Sequence, residues 1–226
     1  MAEFQDPIES IVFNLKNKSS IKQQTYKHLC AAFAQLIKSG KLLIEEVLKR
    51  SKGLDSEITI SFKKVSDQEF HLKVAGDLII FVLHTNIITF EETYGVIKSE
   101  YVQQDKNRGY FGQIMIYNFM ADSVKYNRLS DPGYLLGRLF VNYENHFFME
   151  GEGQFDFMFN EPKILEHIDL DIIVKLAVDT AAKSDLFSPP YNEVKFITLN
   201  DKLSSSPSLG AGRKIGFQMS YKDEVS

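Results

Sequence analysis

The sequence predicts a single α+β domain. A curved, mainly antiparallel sheet of about six to eight strands is covered by N-terminal helices and by one long helix in the C-terminal half. Three observations predict it. Apolar residues recur at spacings of three and four over residues 8–52. From Glu57 the period changes to two, and short polar turns follow one another closely. A helical stripe returns over residues 162–184, behind Pro162.

A chain of 226 residues suits this size of core, and 44% hydrophobic with 25% charged residues is ordinary globular usage. Eighteen Phe and ten Tyr without a Trp favour strands and large cores. The single cysteine, Cys30, rules out an internal disulfide and a cysteine zinc cluster, and a reducing cytoplasm is the expected setting. The start, MAEFQDPIES, lacks the basic and apolar regions of a signal peptide. The longest apolar run, LIIFVL from Leu78 to Leu83, is too short to span a bilayer.

In the helical part, SSIKQQTYKHLCAAFAQLIKSG places Ile21, Leu29, Ala32, Phe33, Leu36 and Ile37 on one face, with Gly40 as its stop. KLLIEEVLKRSKG repeats the device with Leu43, Ile44, Val47 and Leu48, and Gly53 as the stop. IESIVFNLK reads as a short first helix. From Asn14 to Gly53 nine Lys or Arg stand against Glu45 and Glu46, so this segment carries +7 and the rest of the chain −11. That asymmetry suits either a solvated helical face or an anionic partner.

The antiparallel meander is expected over residues 57–160. EITISFKKV and FHLKVAG alternate, and LIIFVLH, apolar on both sides, reads as a central strand. Further strands are expected near 87–90, 95–103 and 110–120, with QDKNRG as the hairpin between the last two, and another strand from Tyr134. In the helix that follows, Leu165, Ile168, Ile172, Leu176 and Ala177 form the expected buried stripe. VKFITL and KIGFQMSY read as a late hairpin over 194–220, joined by a Ser- and Gly-rich loop.

The segment NYENHFFMEGEGQFDFMF, residues 142–159, separates by parity. Tyr143, Phe147, Met149, Phe155, Phe157 and Phe159 fall on a dry face; Asn142, Glu144, His146, Phe148, Glu150, Glu152 and Asp156 fall on a largely wet one. A three-residue loop at 150–152 pairs Phe147 with Phe155 and keeps the faces apart. That register sets His146 opposite Asp156 and gathers Arg138, Glu144, His146 and Asp156 on one face. A carboxylate beside a histidine can orient a base or complete a metal site. The competing reading is a solvated sheet face with cross-strand charge pairs.

Two smaller patterns carry chemistry. In SLGAGRK, Gly210 and Gly212 precede Arg213 and Lys214, an arrangement that could hold a phosphate, although the spacing is not that of a P-loop. Glu193 and Lys195, with Asp185 upstream, match the short acidic-x-Lys pattern of metal-dependent nucleases, but SPP intervenes. Nucleophile-elbow, zinc-protease, C-x-x-C and dinucleotide fingerprints are absent from the sequence. The expected function is therefore a non-catalytic cytoplasmic binding or assembly domain. Its expected partner is a protein or small ligand, with no cofactor and no metal, and a homo-oligomer is compatible with the sequence. A metal-dependent hydrolase or phosphodiesterase using the 134–159 hairpin is the alternative, and nucleic-acid binding through the basic helices 16–52 is the second.

Overall fold

A computed structural model describes residues 6–129, 131–151, 153–155, 161–188, 190–196, 198–199 and 213–214. Seven strands form one open antiparallel sheet whose spatial order follows the chain: β1 (Ile60–Lys64), β2 (Glu69–Val74), β3 (Asp77–Leu83), β4 (Phe111–Met120), β5 (Tyr134–Asn142), β6 (His146–Gly151) and β7 (Lys163–Ile164). The mixed α+β domain expected from the periodicities is what the chain forms.

Two long helices, Ser20–Arg50 and His167–Lys183, cover one face, and a short helix precedes the first of them. α1 (Pro7–Asn14) starts with the Asp6 side chain accepting from the Ile8 amide and with proline at its first position. It runs through a wide π turn, Leu15–Ser19, into α2 (Ser20–Arg50). Gly40 does not stop the helix. It lies buried inside α2, where a Cβ would stand 3.1 Å from Phe70 and 3.2 Å from Leu72. Its role is close approach of helix to sheet, which offsets its poor helix propensity. The chain leaves the helix at Ser51, and Gly53 takes φ +95°.

The inner core lies between these helices and the sheet. Leu29, Phe33 and Leu36 of α2 meet Phe70, Leu72, Ile79, Phe81, Ile114, Leu139, Val141 and Phe147. Phe70 and Phe81 stack at 4.5 Å, and Phe33 leans on Phe70 at 5.5 Å. Beside α2 packs the second long helix, His167–Lys183. Pro162 lies well before it, and the start is instead a capping box between Glu166 and Asp169. The buried stripe is Leu170, Ile173, Val174, Ala177 and Ala181. Of the expected stripe, Leu165 and Ala177 are buried, Ile172 and Leu176 only partly, and Ile168 is 54% exposed.

The segment before β4 departs from expectation. Residues 87–90 contribute one bridge, Ile88 to Phe111, and the strand expected over 95–103 is helical. α3 (Gly95–Lys98) and α4 (Glu100–Gln104) are followed by a 3₁₀ turn, Lys106–Gly109. Ser99 caps α4 and Asp105 caps the 3₁₀ turn, each through its side chain. This segment lies on the outer face, where Val96 and Val102 close over Phe111, Phe140 and Phe148, with Ile88, Phe90, Ile97 and Tyr101 around them. The face expected to be wet is therefore dry along part of its length. A further short helix, α5 (Ala121–Lys125), occupies the expected polar loop before β5.

The turn near 150–152 is also corrected. β5 and β6 reverse at Tyr143–Asn145, with Asn145 at φ 59°, and Phe147 pairs with Val141 on one side and Lys163 on the other. Gly151 belongs to β6, where a Cβ would stand 2.6 Å from the Leu136 carbonyl oxygen. Gln154 and Phe155 take helical backbone, and Phe155 is buried. Phe157 lies outside the described residues.

At the C-terminal end, β8 (Leu186–Phe187) pairs with β9 (Arg213–Lys214), and Tyr191–Val194 forms a helical turn where the first strand of the late hairpin was expected to begin. The Ser- and Gly-rich loop lies outside the described residues.

Candidate functional site

The outer face brings the reversal after β5 against the α4 segment, and there a polar cluster forms. Asn142, fully buried at the end of β5, shapes the turn: its Oδ1 accepts from the backbone N–H of Glu144 (3.1 Å) and of His146 (2.9 Å). The Asn145 side chain in turn donates to the Leu165 carbonyl at 3.1 Å, tying the turn to the strand that follows.

Glu144 is the hub. Tyr101 donates its hydroxyl to Glu144 Oε2 at 2.9 Å, and Asn142 Nδ2 donates to the Tyr101 oxygen at 2.8 Å. Arg108 donates to Glu144 Oε1 at 3.3 Å, while its Nε lies 2.9 Å from Oε2 as a charge contact. Tyr143 donates to Asp105 Oδ2 at 2.6 Å, with Glu144 Oε1 3.1 Å from the same hydroxyl. The three flat groups stack: the Arg108 guanidinium lies 4.5 Å from the centre of the Tyr101 ring, and the His146 ring lies 4.5 Å from that ring.

The electrostatics follow. Burial pushes Glu144 upward, but hydrogen bonds from Tyr101 and Tyr143 and the charge of Arg108 outweigh it, and its carboxyl lies below the usual range. Asp105 is lowered by the Tyr143 hydrogen bond and by backbone donation from Asn107. Burial, with the neighbouring carboxylates, raises both phenols well above their ordinary range. The cluster thus holds two fixed carboxylates and two neutral phenols at neutral pH.

A pH dependence follows from these directions. Both carboxyl groups are depressed in the folded state, so their contribution is fully present above the unfolded values near about 4 and is lost as pH falls through the lower folded values. Replacing Tyr143 by Phe removes the donor that Asp105 and Glu144 share. Its cost in melting temperature is expected to be largest at neutral pH and to shrink below about pH 4. A cost independent of pH would contradict the assignment.

The structure separates the expected site residues. Glu144 and His146 share the turn, although His146 meets the Tyr101 ring and has Ile164 as its strand neighbour in place of Asp156. Arg138 sits four positions before Asn142, about 13 Å along β5, where it pairs with Glu150 and lies over Phe140. Asp156 and the glycine turn before Arg213 lie outside the described residues. Arg213 and Lys214 form strand β9. Glu193 falls in the helical turn Tyr191–Val194, so the acidic-x-Lys pattern does not lie on the strand that nuclease chemistry uses. Among the described residues, no group of three or more His, Cys, Asp or Glu is arranged to hold a metal ion.

Sequence reasoning does not reach Tyr101, Asp105 and Arg108, because residues 95–103 read as a strand and QDKNRG as the hairpin after it. The signal for them was the pair of cap residues Ser99 and Asp105. Beside the cluster lies an open cleft of about 560 Å³, lined by Gly95, Val96, Lys98, Ser99, Tyr101 and Glu161 among others. Neither Glu144 nor His146 lines it. Compared with protein-family models, with curated proteins and with solved structures, the chain finds no match in any of the three. Among the described residues, no helix is long and apolar enough to cross a membrane.

Proposed function

We propose that the protein is a non-catalytic assembly domain of a reducing, cytoplasmic compartment, whose partner is a protein surface. The observation that carries this reading is the saturation of Glu144. Both of its oxygens are engaged by Tyr101, Tyr143 and Arg108, and its carboxyl lies below the usual range. A general acid or base needs a free lone pair or proton near the working pH. A carboxylate fully occupied by its neighbours braces a turn instead. The exposed apolar surface of α1 and of the π turn that follows it, where Ile8, Ile11 and Leu15 are all more than half exposed, supports the assembly half of the reading.

The rival is the hydrolase. Purified protein supplied with Mg²⁺, Mn²⁺ or Zn²⁺ and offered aryl esters and aryl phosphodiesters is expected to give no turnover above background. Turnover that disappears in Glu144→Gln would overthrow the non-catalytic reading.

A further inference from the structure

We infer that α1 is a dimerisation arm that pairs antiparallel with α1 of a second copy of the chain. The inference rests on the assembly reading above and names the partner. Ile8, Ile11, Val12 and Leu15 stand at spacings of three, four and seven, one continuous stripe on a helix. They are 67%, 58%, 40% and 59% exposed, and no residue of α1 is buried. The arm is held in line with α2 through the π turn, and its own polar side chains close on its backbone: Asn14 donates to the Ser10 carbonyl and Asn17 to the Phe13 carbonyl.

The stripe is its own complement when reversed. A two-fold axis between Ile11 and Val12 sets Ile8 against the partner's Leu15 and Ile11 against the partner's Val12. Closed two-fold symmetry requires such a self-complementary patch. Charge agrees with this pairing. Glu9 and Lys16 are seven apart, so they share one flank of the helix beside the stripe. In an antiparallel pair the same flanks face each other, and Glu9 comes level with the partner's Lys16 to within about 3 Å along the axis. The contact forms twice. The body of the domain first meets this helix near Lys18, whose ammonium lies over the Tyr110 ring, about 10 Å along the helix from the axis, so the two bodies lie at opposite ends of the pair. Two arms of this length fall at or below the roughly 1,200 Å² of a standard interface, so the dimer is weak and concentration-dependent.

Sedimentation equilibrium of the full chain across the micromolar range tests this. A monomer–dimer equilibrium is expected. Ile11→Asp is expected to weaken it at least tenfold without lowering the melting temperature of the dilute protein, since Ile11 supports no core. Glu9→Lys is expected to weaken it, and Glu9→Lys with Lys16→Glu to restore it. A chain that is monomeric at every concentration overturns the inference, as does a dimer untouched by Ile11→Asp. So does a monomer that binds vesicles of anionic phospholipid through Ile11, because the stripe then covers a membrane surface. A monomer without turnover removes the dimer and leaves the non-catalytic reading standing, whereas Glu144-dependent turnover removes that reading itself.

Discussion

Replacing Ile173 by Asp is expected to cost more than about 4 kcal/mol, enough to unfold the domain under mild conditions. Ile173 is fully buried at the middle of the stripe Leu170, Ile173, Val174, Ala177 and Ala181, in the core shared with α2 and the sheet. A carboxylate there would lose its water while surrounded by apolar side chains. The same substitution at neighbouring positions calibrates the effect. Ile172→Asp is expected to cost less, because that side chain is only partly buried. Ile168→Asp is expected to change stability by no more than about 0.5 kcal/mol, because Ile168 is exposed. Urea denaturation of the three variants measures the series. Equal costs at 168 and 173 would mean that the helix faces the sheet with a different side.

Phe148→Ala is expected to cost about 3–5 kcal/mol. Phe148 is 3% exposed, stacks on Phe140 at 4.8 Å and meets Phe111 edge-on at 5.1 Å. These rings form the outer core beneath Val96 and Val102. Alternation along the strand assigns Phe148 to the solvated face together with His146 and Glu150, and on that reading the change would cost little. A near-zero cost would mean that the helical segment 95–109 does not close over the sheet. A large cost, recovered in part by Phe148→Leu, supports a sheet buried on both faces at this end.

The sequence makes some of these features plain and hides others. Parity finds the inner face, because Phe147 and Met149 of β6 both reach the core. It fails on the outer face, because alternation reports which residues share a face and not whether a second layer covers it. Gly40 and Gly151 read as stops and turns because glycine is the usual punctuation there. Both are instead places where another atom comes too close for a side chain. The true reversal at Tyr143–Asn145 is marked by Asn142, whose side chain bonds the local backbone, and by Asn145, which takes positive φ, but the two glycines of EGEG are the louder signal. The polar cluster was half visible. Glu144 and His146 stand in one short segment, whereas Tyr101, Asp105 and Arg108 reach them only through long-range packing that no local pattern encodes.

On the proposed function, Glu144 braces the fold rather than carrying out a reaction. The thermal melt of Glu144→Gln at neutral pH, beside the parent protein, tests it most directly. The amide replaces one accepting oxygen with a donor, which then faces Arg108 and one of the two phenols, Tyr101 or Tyr143, and it removes the charge that Arg108 faces. A stability loss of about 1–3 kcal/mol is expected, with the acid-side fall in stability flattened. A melt identical to that of the parent would contradict it.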